Sequence, residues 1–166
     1  ALGRMSIMKD SNSPYKLELI WILPSIVLPV VMFAILLYTA FGQGVHLPSE
    51  EGLIDPARIA ATAPFDKLGV HQIGPKKYRV HMMAGIWFYV PNQIKVPRGS
   101  TVEFIATSKD VVHGLYIKGA NVNAMLLPGQ VTRVTTRFDN PGEYPFICHE
   151  YCGTAHHTMW GKVVVE

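Results

Sequence analysis

The chain has 166 residues, 49% of them hydrophobic and 16% charged, with a formal net charge of +3 and two cysteines. A charge this small and scattered, without a basic-aromatic groove pattern, argues against nucleic acid as a partner. No internal repeat or low-complexity tract is visible. The first 16 residues form a tail with Arg4, Lys9 and Lys16 against Asp10. A helix over 17–41 follows, in which Leu19 to Phe41 runs 23 residues without a charge. As a helix that run reaches about 34 Å, enough for a hydrocarbon core of about 30 Å. It lacks the polar stripe of a buried soluble helix and outlasts the apolar core of a cleaved signal sequence, so it predicts one span of the lipid bilayer. Pro24 and Pro29 each remove a backbone donor, a loss that neighbouring helices can repair, which points to a larger membrane partner.

The residues after the span include Glu50, Glu51, Asp55 and Asp66 around Arg58 and Lys67. Basic residues before the span and acidic ones after it put the N-terminus in the cytoplasm and the C-terminal part outside. Residues 42–75, with Pro48, Pro56 and Pro64, show no sustained period and predict an irregular connector with one helical turn from Pro56 to Ala63. The rest, 76–166, is enough for one small domain. Its segments YRVHMM, QIKV, TVEFIA, GLYI, QVTRVTTRF, EYPFI and GKVVVE are short, rich in β-branched and aromatic residues, and separated by Pro and Gly. They predict an all-β sandwich, with Pro91, Pro97-Arg98-Gly99, Pro128-Gly129 and Pro141-Gly142 as turns. Alternation along Val102, Phe104, Ala106 and along Val131, Val134, Phe138 is imperfect.

The run CHEYCGTAHHTM brings Cys148, Cys152, His156 and Met159 within twelve residues, and His113 lies about a strand-loop-strand distance upstream. Thiolate, imidazole and thioether form a soft set that suits copper. A blue-copper centre needs one cysteine; here there are two. A loop leaving EYPFI can turn both sulfurs inward, where two thiolates can bridge two copper ions. Each copper then needs one histidine, which assigns His113 to one and His156 to the other. Met159 is the weak donor on one side and a backbone carbonyl, that of Glu150, on the opposite side. The residues alone leave three alternatives open: a disulfide between Cys148 and Cys152, tetrahedral zinc on Cys148, Cys152, His156 and His113, and a mononuclear copper site. Zinc would give Met159 no role.

Among the other histidines, His149 and His157 read as surface groups or residues behind the ligands, and His46, His71 and His81 as unrelated polar groups. Asp110, three residues before His113, either holds its loop through backbone N–H groups or orients the site. Met82, Met83 and Met125 read as core fillers, Met125 packing under the centre. Gly114 and Gly153 read as residues of tight loops.

The metal run resembles the pattern Cys-x-Glu-x-Cys-Gly-x-x-His-x-x-Met of subunit II of heme-copper cytochrome c oxidases, met by Cys148, Glu150, Cys152, Gly153, His156 and Met159. Asp110, Val111 and His113 match its upstream Asp-Val-x-His. The resemblance covers the span and the domain, and with one span it is nearest the short ba-type branch. It implies a mainly β, cupredoxin-like Greek-key sandwich behind one N-terminal transmembrane helix, in the inner or plasma membrane of a prokaryotic cell. It also implies a binuclear copper A centre that takes electrons from reduced cytochrome c and passes them to heme in subunit I. There dioxygen is reduced to water, coupled to proton translocation. The hemes belong to the partner, and a small additional membrane subunit is compatible with this branch.

Three further roles rest on the resemblance. Trp87, in Gly85-Ile86-Trp87-Phe88-Tyr89, corresponds to the residue through which electrons arrive. The Glu150 side chain corresponds to a ligand of magnesium or manganese shared with subunit I, which would supply the remaining oxygens. Glu18, three residues before Trp21, matches a glutamate at the proton entrance of subunit I; a carboxylate at that depth is costly in lipid and often lies on a proton path. With Lys118, Arg133 and Arg137 balancing Glu103, Asp110 and Asp139, a largely apolar contact with cytochrome c is expected.

Four other functions compete. A copper A subunit of a nitric oxide reductase shares the ligand motif. Nitrous oxide reductase would need a large propeller domain. A membrane-tethered copper carrier or assembly factor would need exchangeable ligands, whereas these sit between two strands. A quinol oxidase subunit II lacks the ligands altogether.

Overall fold

The computed structural model describes residues 14–42 and 49–166. His46 and most of the N-terminal tail lie outside the described residues. The chain forms two units, 1–45 and 46–166.

In the first unit, helix α1 (Pro14–Leu37) runs through Pro24 and Pro29 and continues as a π-helical turn, Tyr38–Gly42. The Ser25 hydroxyl donates to the Trp21 carbonyl at 2.7 Å, one turn back. Its large apolar side chains are exposed on every side, among them Ile22, Val27, Val31 and Leu36. A helix apolar all round needs lipid or other helices as its surroundings, and residues Glu18–Gly42 are long and apolar enough to cross a membrane.

The second unit is a sandwich of two sheets. Its strands are β1 (Ser49–Leu53), β2 (Gly69–Gly74), β3 (Lys77–Gly85), β4 (Phe88–Val90), β5 (Gln93–Val96), β6 (Ser100–Ser108), β7 (His113–Ile117), β8 (Val122–Leu126), β9 (Gln130–Phe138), β10 (Gly142–Ile147) and β11 (Trp160–Val165). One sheet has the order β1-β9-β6-β3-β2, with β4 folded back on β3; the other has the order β5-β11-β10-β7-β8. Most neighbours are antiparallel, but β3 with β6 and β5 with β11 are parallel. Between the sheets lies a core that includes Phe104, Phe138, Phe146, Leu115, Ile117, Ile94 and Val163, all essentially inaccessible. Burying one such side chain contributes roughly 1.5–3 kcal/mol.

Two sequence expectations change. The stretch read as an irregular connector contains edge strands β1 and β2 with 3₁₀ turns at Pro56–Ala61 and Phe65–Lys67 between them. Asp55 caps the first turn, accepting from the Ala57 N–H at 3.0 Å. The segment lies over the outer face of the first sheet, where Ile54, Ile59 and Phe65 bury themselves against Ile105 and Val131. Its ordering comes from that second apolar face, not from local periodicity. Val131 therefore points away from Val134 and Phe138. The inward set of β9 includes Thr132, Val134, Thr136 and Phe138, a strict alternation that two buried threonines conceal in the sequence.

Candidate metal centre

Three neighbouring strands of the second sheet hold the centre. His113 is the first residue of β7, Cys148 follows the end of β10, and Met159 precedes β11. Strand β10 pairs with both others, Ile147 standing opposite Trp160 on one side and Tyr116 on the other. The Cys148 N–H donates to the Met159 carbonyl at 3.2 Å and closes the neck of the ligand loop. Within the loop, Gly153 has φ +117, a left-handed conformation, and a Cβ there would lie 3.1 Å from the Trp87 indole nitrogen. Glycine meets both demands. The His156 N–H donates to the Gly153 carbonyl at 3.1 Å and starts a 3₁₀ turn, His156–Thr158, that turns the imidazole back toward Cys152.

The ligand atoms converge. Cys148 and Cys152 are free thiols with sulfurs 3.9 Å apart, far beyond the roughly 2 Å of a disulfide. His113 Nδ1 lies 3.9 Å from the Cys148 sulfur, and His156 Nδ1 lies 3.4 Å from that of Cys152. The Glu150 carbonyl oxygen is 3.1 Å from the Cys148 sulfur, and the Met159 sulfur is 3.8 Å from that of Cys152. His113, Cys148 and Cys152 form a buried group whose ligand atoms all lie within 4.8 Å of one another. A sulfur separation of 3.9 Å is less than twice a metal–thiolate bond of about 2.3 Å, so an ion beside the line between the sulfurs can touch both. The donor set thus fits a soft transition metal such as copper.

Surrounding groups hold these ligands in place. Asp110 Oδ1 is 2.8 Å from His113 Nε2 and accepts from the Val111 N–H at 2.7 Å, while Oδ2 accepts from the Ile86 N–H at 2.8 Å. Both expected roles of Asp110 therefore coexist, and it also ties down the Ile86-Trp87 turn. Burial alone would raise its pKa, but the His113 ring and the two N–H groups outweigh burial and hold the carboxyl below its usual range. The Gly114 N–H donates to the Cys148 sulfur at 3.3 Å, and the Gly114 carbonyl accepts from the buried Tyr89 hydroxyl. Burial, with Cys148 alongside, pushes the Tyr89 hydroxyl far above its usual range, so it stays a neutral donor. Burial, reinforced by Cys148, pushes the Cys152 thiol up to about 11.

Trp87 donates its indole N–H to the Cys152 carbonyl at 3.0 Å and leaves 36% of its surface exposed, bridging centre and solvent. Glu18 lies on the exposed surface of α1, in the other unit. His157 is exposed, and His71 and His81 share the Lys67 carbonyl at 2.9 and 3.1 Å. Met125 is 46% exposed and does not underlie the centre, whereas Tyr89 is buried and bonded to the Gly114 carbonyl beside it. Tyr89 was missed as a site residue. Its neighbours Phe88 and Val90 are apolar but exposed, so the sequence carries no alternation that marks it.

Residues 73–166 match the family described as cytochrome c oxidase subunit II, periplasmic domain. The chain is 37% identical over 150 residues to a cytochrome c oxidase subunit 2 of Thermus thermophilus, spanning 88% of this chain and 89% of that one. The chain belongs to the cytochrome c oxidase subunit II family. A second Thermus thermophilus subunit 2 is 41% identical over 115 residues, 68% of this chain and 85% of that one. A cryo-EM structure of a heme-copper terminal oxidase dimer contains a chain that superposes with a TM-score of 0.76 at 36% identity, covering 90% of this chain and 99% of that one. The periplasmic domain of subunit II from Bradyrhizobium japonicum shares the fold, with a TM-score of 0.50 at 18% identity, over 53% of this chain and 83% of that one.

As a subunit II, the protein is an electron-transfer component of a heme-copper terminal oxidase, and its His/Cys cluster is consistent with a copper site. Its single described membrane helix and two-sheet β-sandwich fit a single-pass protein of the inner membrane with the C-terminal domain on the outer side.

Proposed function

We propose that Cys148 and Cys152 bridge two copper ions, with His113 and His156 as one imidazole for each and the Met159 sulfur and Glu150 carbonyl as weak donors. The observation that carries this is two free sulfurs 3.9 Å apart with an imidazole nitrogen within 4 Å of each. A bound copper pair would supply a one-electron couple whose charge is spread over two metals and two sulfurs. The protein holds His113, Cys148 and Met159 at the ends of adjacent strands and Cys152 and His156 on the loop between two of them, so little has to move when an electron arrives or leaves.

Electrons come from reduced cytochrome c and leave for heme in subunit I, where dioxygen is reduced and protons are translocated. Trp87 is the receiving residue: its indole touches the Cys152 backbone and its edge reaches solvent. Exposed Ile86, Phe88, Tyr151 and Trp160 support a largely apolar contact with the donor. Glu18 serves as a proton entrance beside subunit I. The Glu150 side chain is partly exposed, but one of its oxygens faces His149 Nδ1 at 3.3 Å, so a magnesium or manganese ion there would compete with that pair.

Copper analysis with electron paramagnetic resonance on the full chain tests the centre. Two coppers sharing one unpaired electron, seen as seven hyperfine lines, are expected. One copper with four lines, or zinc without a signal, would overturn the assignment.

A further inference from the structure

His149 has a surface-like position in the sequence, one residue after the first cysteine, yet its side chain is only 26% exposed. Nε2 lies 3.2 Å from the carbonyl oxygen of Ala124 in edge strand β8, and Nδ1 faces Glu150 Oε1 at 3.3 Å. Both ring nitrogens are therefore engaged with oxygen atoms, one on the β7–β8 hairpin and one within the ligand loop. The ring also rests on Gly114. A Cβ on that residue would fall 2.5 Å from His149 Cδ2 and 2.6 Å from both Cγ and Nε2, separations that real Cβ atoms do not reach. Gly114 is the residue whose N–H points at the Cys148 sulfur and whose carbonyl holds Tyr89.

We infer that His149 is a positioning residue of the copper centre: seated on Gly114 and joined to Ala124 and Glu150, it fixes where the Glu150 carbonyl sits relative to the Cys148 sulfur. This rests on the dinuclear reading above. The physical argument concerns leverage. The Glu150 carbonyl is a weak donor on a loop, and its distance from the centre depends on the 149–150 backbone. The ring anchors one of those residues to a β-strand and takes hold of the carboxylate of the other. Without it the loop keeps its neck bond and both cysteines, but the carbonyl is free to retreat. A retreating oxygen donor stabilises the more positive, oxidised form less, so the reduction potential rises.

The test uses the full copper-loaded chain and compares His149→Ala, His149→Gln, Gly114→Ala and the double variant Gly114→Ala/His149→Ala. Copper content, hyperfine splitting and reduction potential are the readouts. His149→Ala is expected to keep two coppers, change the splitting and shift the electron-exchange equilibrium at least threefold toward reduction, about 28 mV at 59 mV per tenfold. His149→Gln, which can still donate to Ala124, recovers part of that shift. Gly114→Ala displaces the ring and shifts the potential the same way, and the double variant shifts no further than either single one, because both remove one contact. A wild-type potential and splitting in His149→Ala, or additive effects in the double variant, overturn the inference. If His149→Ala loses copper, His149→Gln decides by the same two readouts. Failure of the dinuclear reading is seen separately, as one copper or four lines in the unsubstituted chain, and it removes the inference with it.

Discussion

Replacing Asp110 with asparagine tests how the ligand frame is held. The carboxylate meets three hydrogen-bonding groups, His113 Nε2 and the Val111 N–H at one oxygen and the Ile86 N–H at the other, all at 2.7–2.8 Å. An amide has one acceptor. Its better orientation keeps the oxygen toward His113 and Val111 and turns the NH₂ group toward the Ile86 N–H, so one charge-assisted bond is lost and two donors face each other. Loss of a bond to a charged group costs about 1.5–3 kcal/mol, a factor of about 10 to 150 in the folding equilibrium. In urea, with a slope of about 2 kcal/mol/M, the midpoint falls by about 1 M. Asp110→Ala should cost more, because the fully buried His113 then loses its partner. The carboxyl is held below its usual range in the folded state. Its contribution is therefore complete above the unfolded value of about 3.9 and is lost as pH falls through the folded one. The gap between wild type and Asp110→Asn should be full at pH 7 and shrink below about pH 4. Urea unfolding of the full chain in detergent, followed by tryptophan fluorescence, measures both. A wild-type midpoint for Asp110→Asn at pH 7, or a gap unchanged at pH 3, would refute the reasoning.

Gly153→Ala forces an L residue into φ +117 and presses a methyl group against the Trp87 ring; the strain should cost about 1–3 kcal/mol, read as a lower unfolding midpoint. Copper uptake by the metal-free chain should release protons and weaken at least about tenfold per pH unit as pH falls, because Cys152 is a thiol until about 11 and must lose its proton to bind; uptake independent of pH between 6 and 8 would contradict this. Met159→Leu should retain two coppers and both bridging sulfurs while shifting the reduction potential, since the thioether is the weaker donor. Trp87→Phe should leave the copper spectrum in place and slow reduction by cytochrome c, measured by stopped flow; an unchanged rate would move electron arrival elsewhere on the apolar face.

The sequence revealed the seven strands whose apolar residues recur in short runs, and the residues proposed to hold copper, five of them by their spacing along one loop and His113 by the upstream Asp-Val-x-His pattern. It did not reveal β1 or β2, and of the turns between them it showed only the one that begins at Pro56. Those residues are ordered by contact with Ile105 and Val131 on the far side of a sheet, and no local pattern records a partner 50 residues away. Tyr89 and His149 were hidden for a related reason. Each acts through the backbone of Gly114, and a glycine in a strand carries no mark of what lies against it.

The geometry that matters most is fixed by sheet register rather than by the ligands themselves. His113, Cys148 and Met159 stand at the ends of three consecutive neighbours, β7, β10 and β11, and backbone pairing sets those ends side by side. The neck bond from Cys148 to Met159 extends the same ladder by one step. A frame of this kind can hold the donors before metal binds, which suits electron transfer, where rearrangement adds to the barrier. It also predicts where the frame is weakest. Cys152 and His156 belong to no strand and rely on the turn at Gly153 and the Trp87 indole. Substitutions there should loosen the His156 side of the centre while the His113 side keeps its place, giving an unequal hyperfine pattern between the two coppers. An even weakening of both would mean that the loop, and not the sheet, sets the geometry.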